Sequence, residues 1–105
     1  MKIAEETYQL SAQFPKEEKF GLKSQIQRAA VSIPSNIAEG SSRNSNKEFT
    51  HFLSISLGSS YELETQMILS TEFGFIQEKE FETFESNLIK LQKRNMSFKI
   101  KIEKG

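Results

Sequence analysis

Cysteine is absent from this 105-residue chain, so neither disulfide staples nor thiolate metal sites are available to it. No apolar run approaches the roughly 20 residues that cross a bilayer. The N-terminus, MKIAEETYQL, places charges where a signal peptide needs its apolar stretch. A soluble, cytoplasmic protein without membrane contact is expected. An excess of one charge is also missing: Lys and Arg number 14 and Asp and Glu 14, which argues against a chain-wide electrostatic footprint for nucleic acid. Histidine occurs once, at His51, and no Glu-x-x-His spacing exists, so a di-iron bundle site is set aside. Glu62 and Glu64 project about 200° apart on a helix, and no serine has a base in triad-like context. No catalytic residue, metal ligand, cofactor or small-molecule substrate is expected.

What is present is helical periodicity. Four helices are predicted, at about 2–14, 22–39, 46–73 and 77–101, within one domain spanning 1–105. Ile3, Thr7, Leu10 and Phe14 repeat at heptad spacing until Pro15 discourages helical geometry in its predecessor. Residues 15–21 read as a turn or a single helical turn. The second helix carries Leu22, Ile26, Ala29, Ala30, Ile33 and Ile37 on an apolar face and stops at Gly40, a good C-cap residue. Pro34 inside it predicts a kink near Ala30 or a break into two pieces. Ser45 and Glu48 have capping-box spacing for the third helix, which Gly74 ends. In the fourth, Phe81, Phe84, Leu88, Leu91, Asn95, Phe98 and Ile102 keep one helical phase, which outweighs the strand-like alternation of FKIKI.

A second stripe runs beside the apolar face of helix two: Gln25, Arg28, Ser32, Asn36 and Glu39, roughly 120° from its middle. Antiparallel pairing of helices two and three sets Arg28 level with Ser59 and predicts an Arg28–Glu62 pair, so Ser59 and Glu62 join this structural or interaction stripe. Helix three is apolar on more sides than one core requires. Phe49, Phe52, Ser56, Ser60, Leu63, Met67 and Ser70 form its inward seam, while Leu57, Tyr61 and Ile68 lie nearly opposite, with Ile55 and Leu69 on a flank. Large exposed apolar patches are uncommon on monomers, so Leu57, Tyr61 and Ile68 are expected to be covered by a second copy. Gly58-Ser59-Ser60 reads as a point of close helix approach, since a phosphate-cradling loop needs a strand before it.

The charge balance hides a gradient. Residues 62–85 hold seven Glu against Lys79, a balance of −6, and residues 90–105 hold six cations against Glu103, a balance of +5. Complementarity to the helix dipole accounts for much of this. The alternative use is contact with RNA or another anionic partner through Lys90, Lys93, Arg94, Lys99 and Lys101, with Arg28.

FPKEEKFGLKSQIQRAAVSIPSNIAEGSSR followed by KEFTHFLSISLGSSYELETQ resembles the bacterial four-helix-bundle 23S rRNA intervening-sequence proteins. The resemblance rests on Phe14-Pro15, Glu18, Gln25-Ile26, Arg28-Ala29-Ala30, Ser32-Ile33-Pro34 and Asn36-Ile37-Ala38-Glu39-Gly40, then Glu48-Phe49, Gly58-Ser59 and Glu62-Leu63. It implies an all-α, up-down-up-down antiparallel bundle, oligomeric and commonly a homopentamer, without established enzymatic activity. Similar bundles accompany the reverse transcriptases of diversity-generating retroelements. The chain departs from the family where Gln27-Arg28 stands in place of two adjacent arginines. Family members also begin earlier, with an apolar-aromatic start; either this start is late, or helix one is short and leaves part of helix three uncovered. A non-enzymatic oligomeric scaffold with itself or a protein as partner is the expected function; an RNA-associated role is the alternative.

Overall fold

The computed structural model describes residues 2–18 and 21–105, the side chain of Glu18 excepted. Its regular structure among these residues is all helical: α1 (Lys2–Ser11), a 3-10 turn (Lys16–Glu18), α2 (Leu22–Ser41), α3 (Asn46–Glu72) and α4 (Glu78–Lys104). Residues 19 and 20 of the expected 15–21 turn lie outside the described residues. Among the described residues no helix is long and apolar enough to cross a membrane.

The ends of the helices follow from local chemistry. At the start of α3 the Ser45 hydroxyl accepts from the Glu48 backbone N–H at 3.1 Å, satisfying a donor that the first turn leaves without a partner. At its end Gly74 adopts φ +79°, and N–H groups of Gly74 and Phe75 return to the carbonyls of Thr71 and Ser70, a Schellman closure that a side chain at Gly74 would strain. At the start of α4 the Gln77 N–H donates to the Glu80 carboxylate at 3.0 Å, and Gln13 donates to the same carboxylate at 3.0 Å. Helix α1 stops at Ser11, and a turn carries Phe14 into the interior against the Phe75 ring, 5.2 Å away.

One expectation about α2 is corrected. Of the kink or break expected from Pro34, the break does not occur, and the helix continues to Ser41, so Gly40 lies inside its last turn and is not its cap. Gly40 is needed for space: a Cβ there would meet Phe52 Cβ at 2.8 Å and Phe49 Cδ1 at 2.9 Å. Gly58 is the reverse case. A Cβ there meets nothing within 4 Å, so the close helix approach expected at Gly58-Ser59-Ser60 is made by Ser59, whose hydroxyl meets Ser32 of α2 at 2.8 Å, and not by Gly58.

One apolar cluster gathers Ile3, Phe14, Ile26, Ala29, Ala30, Ile33, Leu63, Met67, Ile76, Phe84 and Leu88 from all four helices and their connections. The largest of these are sealed from water, and burying each such side chain contributes about 1.5–3 kcal/mol. Toward the end of the bundle that holds the C-terminal part of α4, polar groups join the buried Leu53 and Leu57. The Ser56 hydroxyl donates to the Ile33 carbonyl at 3.0 Å and accepts from the Asn95 amide at 3.1 Å, tying α2, α3 and α4 at one point. Buried polar side chains recur along the whole bundle, at Thr7, Ser11, Ser60, Gln66, Ser70 and Gln92, and the Asn95 and Gln66 side-chain carbonyls have no hydrogen-bond partner.

Leu57 requires a further correction. It is 5 % exposed within the single chain, so it is not available to a second copy. The reason is the position of α4, which contacts α3 through Phe98 on Phe49 and through the Gln92 amide donating to Glu64 at 3.2 Å. Leu57 lies within about 20° of Glu64 around the helix and therefore faces α4. The buried arc of α3 spans about 180°, wide enough to serve two neighbouring helices.

Candidate functional site

The described residues contain no group of three or more His, Asp or Glu side chains placed to hold a metal ion. His51 is exposed, with its ring edge-on to Phe52 at 5.6 Å. Three surfaces remain on which this chain concentrates chemistry.

The first is the groove between α2 and α3. Gln25, Arg28, Ala29, Ser32, Ser59 and Glu62 line a volume of about 340 Å³. At its floor the Ser32 and Ser59 hydroxyls share a hydrogen bond of 2.8 Å, and the Asn36 amide donates to the Ser32 hydroxyl and carbonyl, each at 2.8 Å. Helical spacing places Ser32 and Asn36 on one side of α2, and Asn36 thereby fixes the hydroxyl that meets α3. The expected Arg28–Glu62 pair does not form. Both side chains are exposed, Glu62 accepts from Gln66 at 3.2 Å, and the one ion pair among the described residues joins Arg43 to Glu39. Two long, hydrated side chains gain little from pairing at an open groove, so serine and asparagine hold the register instead. Glu39 thus leaves the stripe and pairs within its own helix end, where Arg43 also lies over the Phe52 ring.

The second surface is the outer face of α3, turned away from α2 and α4. Tyr61 is 49 % exposed and Ile68 39 %, on the side toward α4; Ile55 is 39 % and Leu69 37 % exposed, on the side toward α2. Ser54, Gly58 and Thr65 lie between these two rows, so the middle of the face is low and its margins are apolar. Of the residues expected at an interface, the structure leaves Tyr61 and Ile68 open and encloses Leu57.

The third surface is α4. Lys90, Lys93, Arg94 and Lys101 are exposed along it, whereas Lys99 is half-buried on the far side of the helix and Arg28 belongs to the α2–α3 groove. Spacing alone brings Lys79 and Lys104 onto the same side as Lys90. Neither stands among the cations expected to meet an anionic partner, because charge counted along the chain does not place a residue around the helix.

Between the acidic half of α4 and α3, Glu85 faces Glu64. Burial pushes the Glu85 carboxyl above its ordinary value of 4.5, and the charge and hydrogen bonding of Glu64, then the charge of Glu82, push the same way. Glu80 is shifted downward by the Gln13 amide and the Gln77 backbone N–H. The two shifts act with opposite sign. Above the ordinary glutamate value the folded chain holds the Glu85 proton more tightly than the unfolded chain does, so this site lowers stability as pH rises through that window. Glu80 contributes stability that is lost as pH falls through its lowered folded value. Thermal midpoints measured against pH are expected to show Glu85→Gln gaining on the parent chain as pH rises above 4.5, and Glu80→Gln falling behind it as pH rises toward 4.5 from below.

The profile of the family described as 23S rRNA-intervening sequence protein matches residues 1–97. A solved structure similar to this one is that of a protein with unknown function from the S23 ribosomal protein family of Bacteroides thetaiotaomicron. It superimposes with a TM-score of 0.74 at 20 % identity, covering 91 % of this chain and 96 % of that one. At this identity the likeness establishes the fold. No curated protein matches in sequence.

Proposed function

Because the chain belongs to the 23S rRNA-intervening sequence protein family, we propose that it is a non-enzymatic, cytoplasmic scaffold that acts as a homo-oligomer, a ring of five being the form its family resemblance implies. The observation that carries this reading is the outer face of α3, where Ile55, Tyr61, Ile68 and Leu69 are more than a third exposed around a low centre at Gly58. Such a face, long, apolar at its margins and open in the middle, suits a helix of another copy. The up-down-up-down arrangement belongs to the same reading. Its support is that contacts between α2 and α3 pair rising numbers with falling ones, Ser32 with Ser59 and Gly40 with Phe49, and that Glu6 with Asn87 and Gln13 with Glu80 do the same for α1 and α4.

Light scattering behind size-exclusion chromatography tests the assembly. The parent chain is expected to elute with a mass that is a whole multiple of the single chain, and Tyr61→Asp with Ile68→Asp to elute as a monomer with unchanged helical circular dichroism. A parent chain that is monomeric at micromolar concentration removes the reading. An RNA-associated role is the second reading, favoured by the exposed cations of α4.

A further inference from the structure

The cations of α4 are sorted around the helix. At about 100° per residue, Lys79, Lys90, Lys93, Arg94, Lys101 and Lys104 fall within one arc of about 100°. All six are exposed, and none forms an ion pair among the described residues. Four residues before Lys90, at the spacing where a glutamate would pair with it, the arc carries Ser86 instead. The acids of α4 all lie outside the arc, the nearest being Glu82, about 20° beyond its margin. A chain with no net charge therefore presents a single unneutralised basic ridge.

We propose that the outer ridge of α4 is a track for the phosphate backbone of a double-helical polynucleotide; this deepens the RNA-associated reading and rests on it. From Lys90 to Lys104 the ridge measures about 21 Å at 1.5 Å per residue. One duplex strand presents a phosphate about every 3.4 Å, so roughly six phosphates face this length, comparable to the five cations along it. The arc holds no aromatic side chain for stacking on bases. Phe98 lies about 40° beyond its margin, 45 % exposed, with its ring edge-on against Phe49 at 5.5 Å. Lysine and arginine without stacking partners contact backbone and leave sequence unread. A membrane surface fits less well, because a helix lying in lipid turns one broad apolar face outward, whereas α4 turns Phe84 and Leu88 into the bundle and its exposed Met96 and Ile100 lie on the opposite flank of the ridge from Phe98. The acidic first half of α4 confines the track to its second half.

The test titrates the full chain with a duplex RNA, a duplex DNA of matching sequence, and phosphatidylserine vesicles, at several salt concentrations. The variants are a ridge triple, Lys90→Gln with Lys93→Gln and Arg94→Gln, and an off-ridge pair, Lys99→Gln with Arg28→Gln. Circular dichroism establishes that each is folded. The parent chain is expected to bind duplex with a log–log salt slope of about −4.5, and the ridge triple to bind at least about tenfold more weakly with a slope nearer −2. The off-ridge pair is expected to stay within about twofold of the parent. Binding of the RNA duplex alone, or of both duplexes, supports the track and tells whether the 2′-hydroxyl is sensed. Duplex binding that the off-ridge pair loses and the ridge triple keeps overturns the track while sparing the RNA reading. Absence of duplex binding at low salt overturns both, as does binding to vesicles in its place.

Discussion

Leu57→Ala is expected to destabilise the chain by about 2–5 kcal/mol, the range for emptying a buried leucine site. Leu57 is 5 % exposed under α4, and its neighbours around α3 include the buried hydroxyls of Ser56 and Ser60, which cannot relax to fill the space as apolar side chains would. At roughly 4–8 °C per kcal/mol for a domain near this size, the thermal midpoint is expected to fall by at least about 8 °C. Tyr61→Ala, one turn along the same helix, removes a side chain that is 49 % exposed. Its effect is expected to stay within about 0.5 kcal/mol when the chain is dilute. At concentrations where copies associate, the loss of binding adds to it by mass action. Midpoints measured across a dilution series separate the two: the Leu57 deficit is expected to be independent of concentration and the Tyr61 deficit to vanish on dilution. Equal deficits at every concentration would contradict the placement of Leu57 inside and Tyr61 outside.

The second large effect sets two glycines against each other. Gly40 and Gly58 both lie within helices, where alanine is intrinsically better by about 1 kcal/mol. In a dilute chain Gly58→Ala is expected to realise most of that gain, because the added methyl meets nothing of its own chain within 4 Å. Gly40→Ala is expected to lose about 1–3 kcal/mol through overpacking. The atoms in the way are Phe52 Cβ at 2.8 Å, which moves only with its backbone, and the Phe49 ring and carbonyl at 2.9 and 3.3 Å. Denaturant melts of the two variants are therefore expected to shift in opposite directions. A Gly40→Ala chain as stable as its parent would mean that α2 and α3 separate at this end more easily than their packing indicates.

The features that could be read from sequence are those decided within a few residues. The Ser45 hydroxyl and Gly74 mark the ends of α3 through their own hydrogen bonds and backbone angles, and the phase of Phe84 and Leu88 marks the inner face of α4. Leu57 could not be placed this way. Whether it is covered depends on which flank of α3 receives α4, a choice made by contacts between residues nearly forty positions apart, such as Ser56 with Asn95. Gly40 misled for a related reason: a glycine near a helix end suits a cap, and only the approach of Phe49 and Phe52 reveals the need for space. The polar stripe was legible as a stripe, but its partners were not. The Ser32 and Ser59 hydroxyls meet across the groove, with the Asn36 amide holding Ser32 from within α2, where a pair of charges is expected. The cations of α4 were visible in composition, and their gathering on one ridge needed the helix drawn through residue 104.

Helix α1 is about 15 Å long beside an α4 of about 40 Å, so it braces only one part of the bundle. Its partners on α4, Asn87 and Glu80, lie in that helix's first half. Beyond its reach three helices remain, packed through Leu53, Leu57 and the Phe49–Phe98 ring pair and tied by the Ser56 hydroxyl and the Asn95 amide. With one helix fewer to share the burial, loosening is expected to begin at that unbraced end.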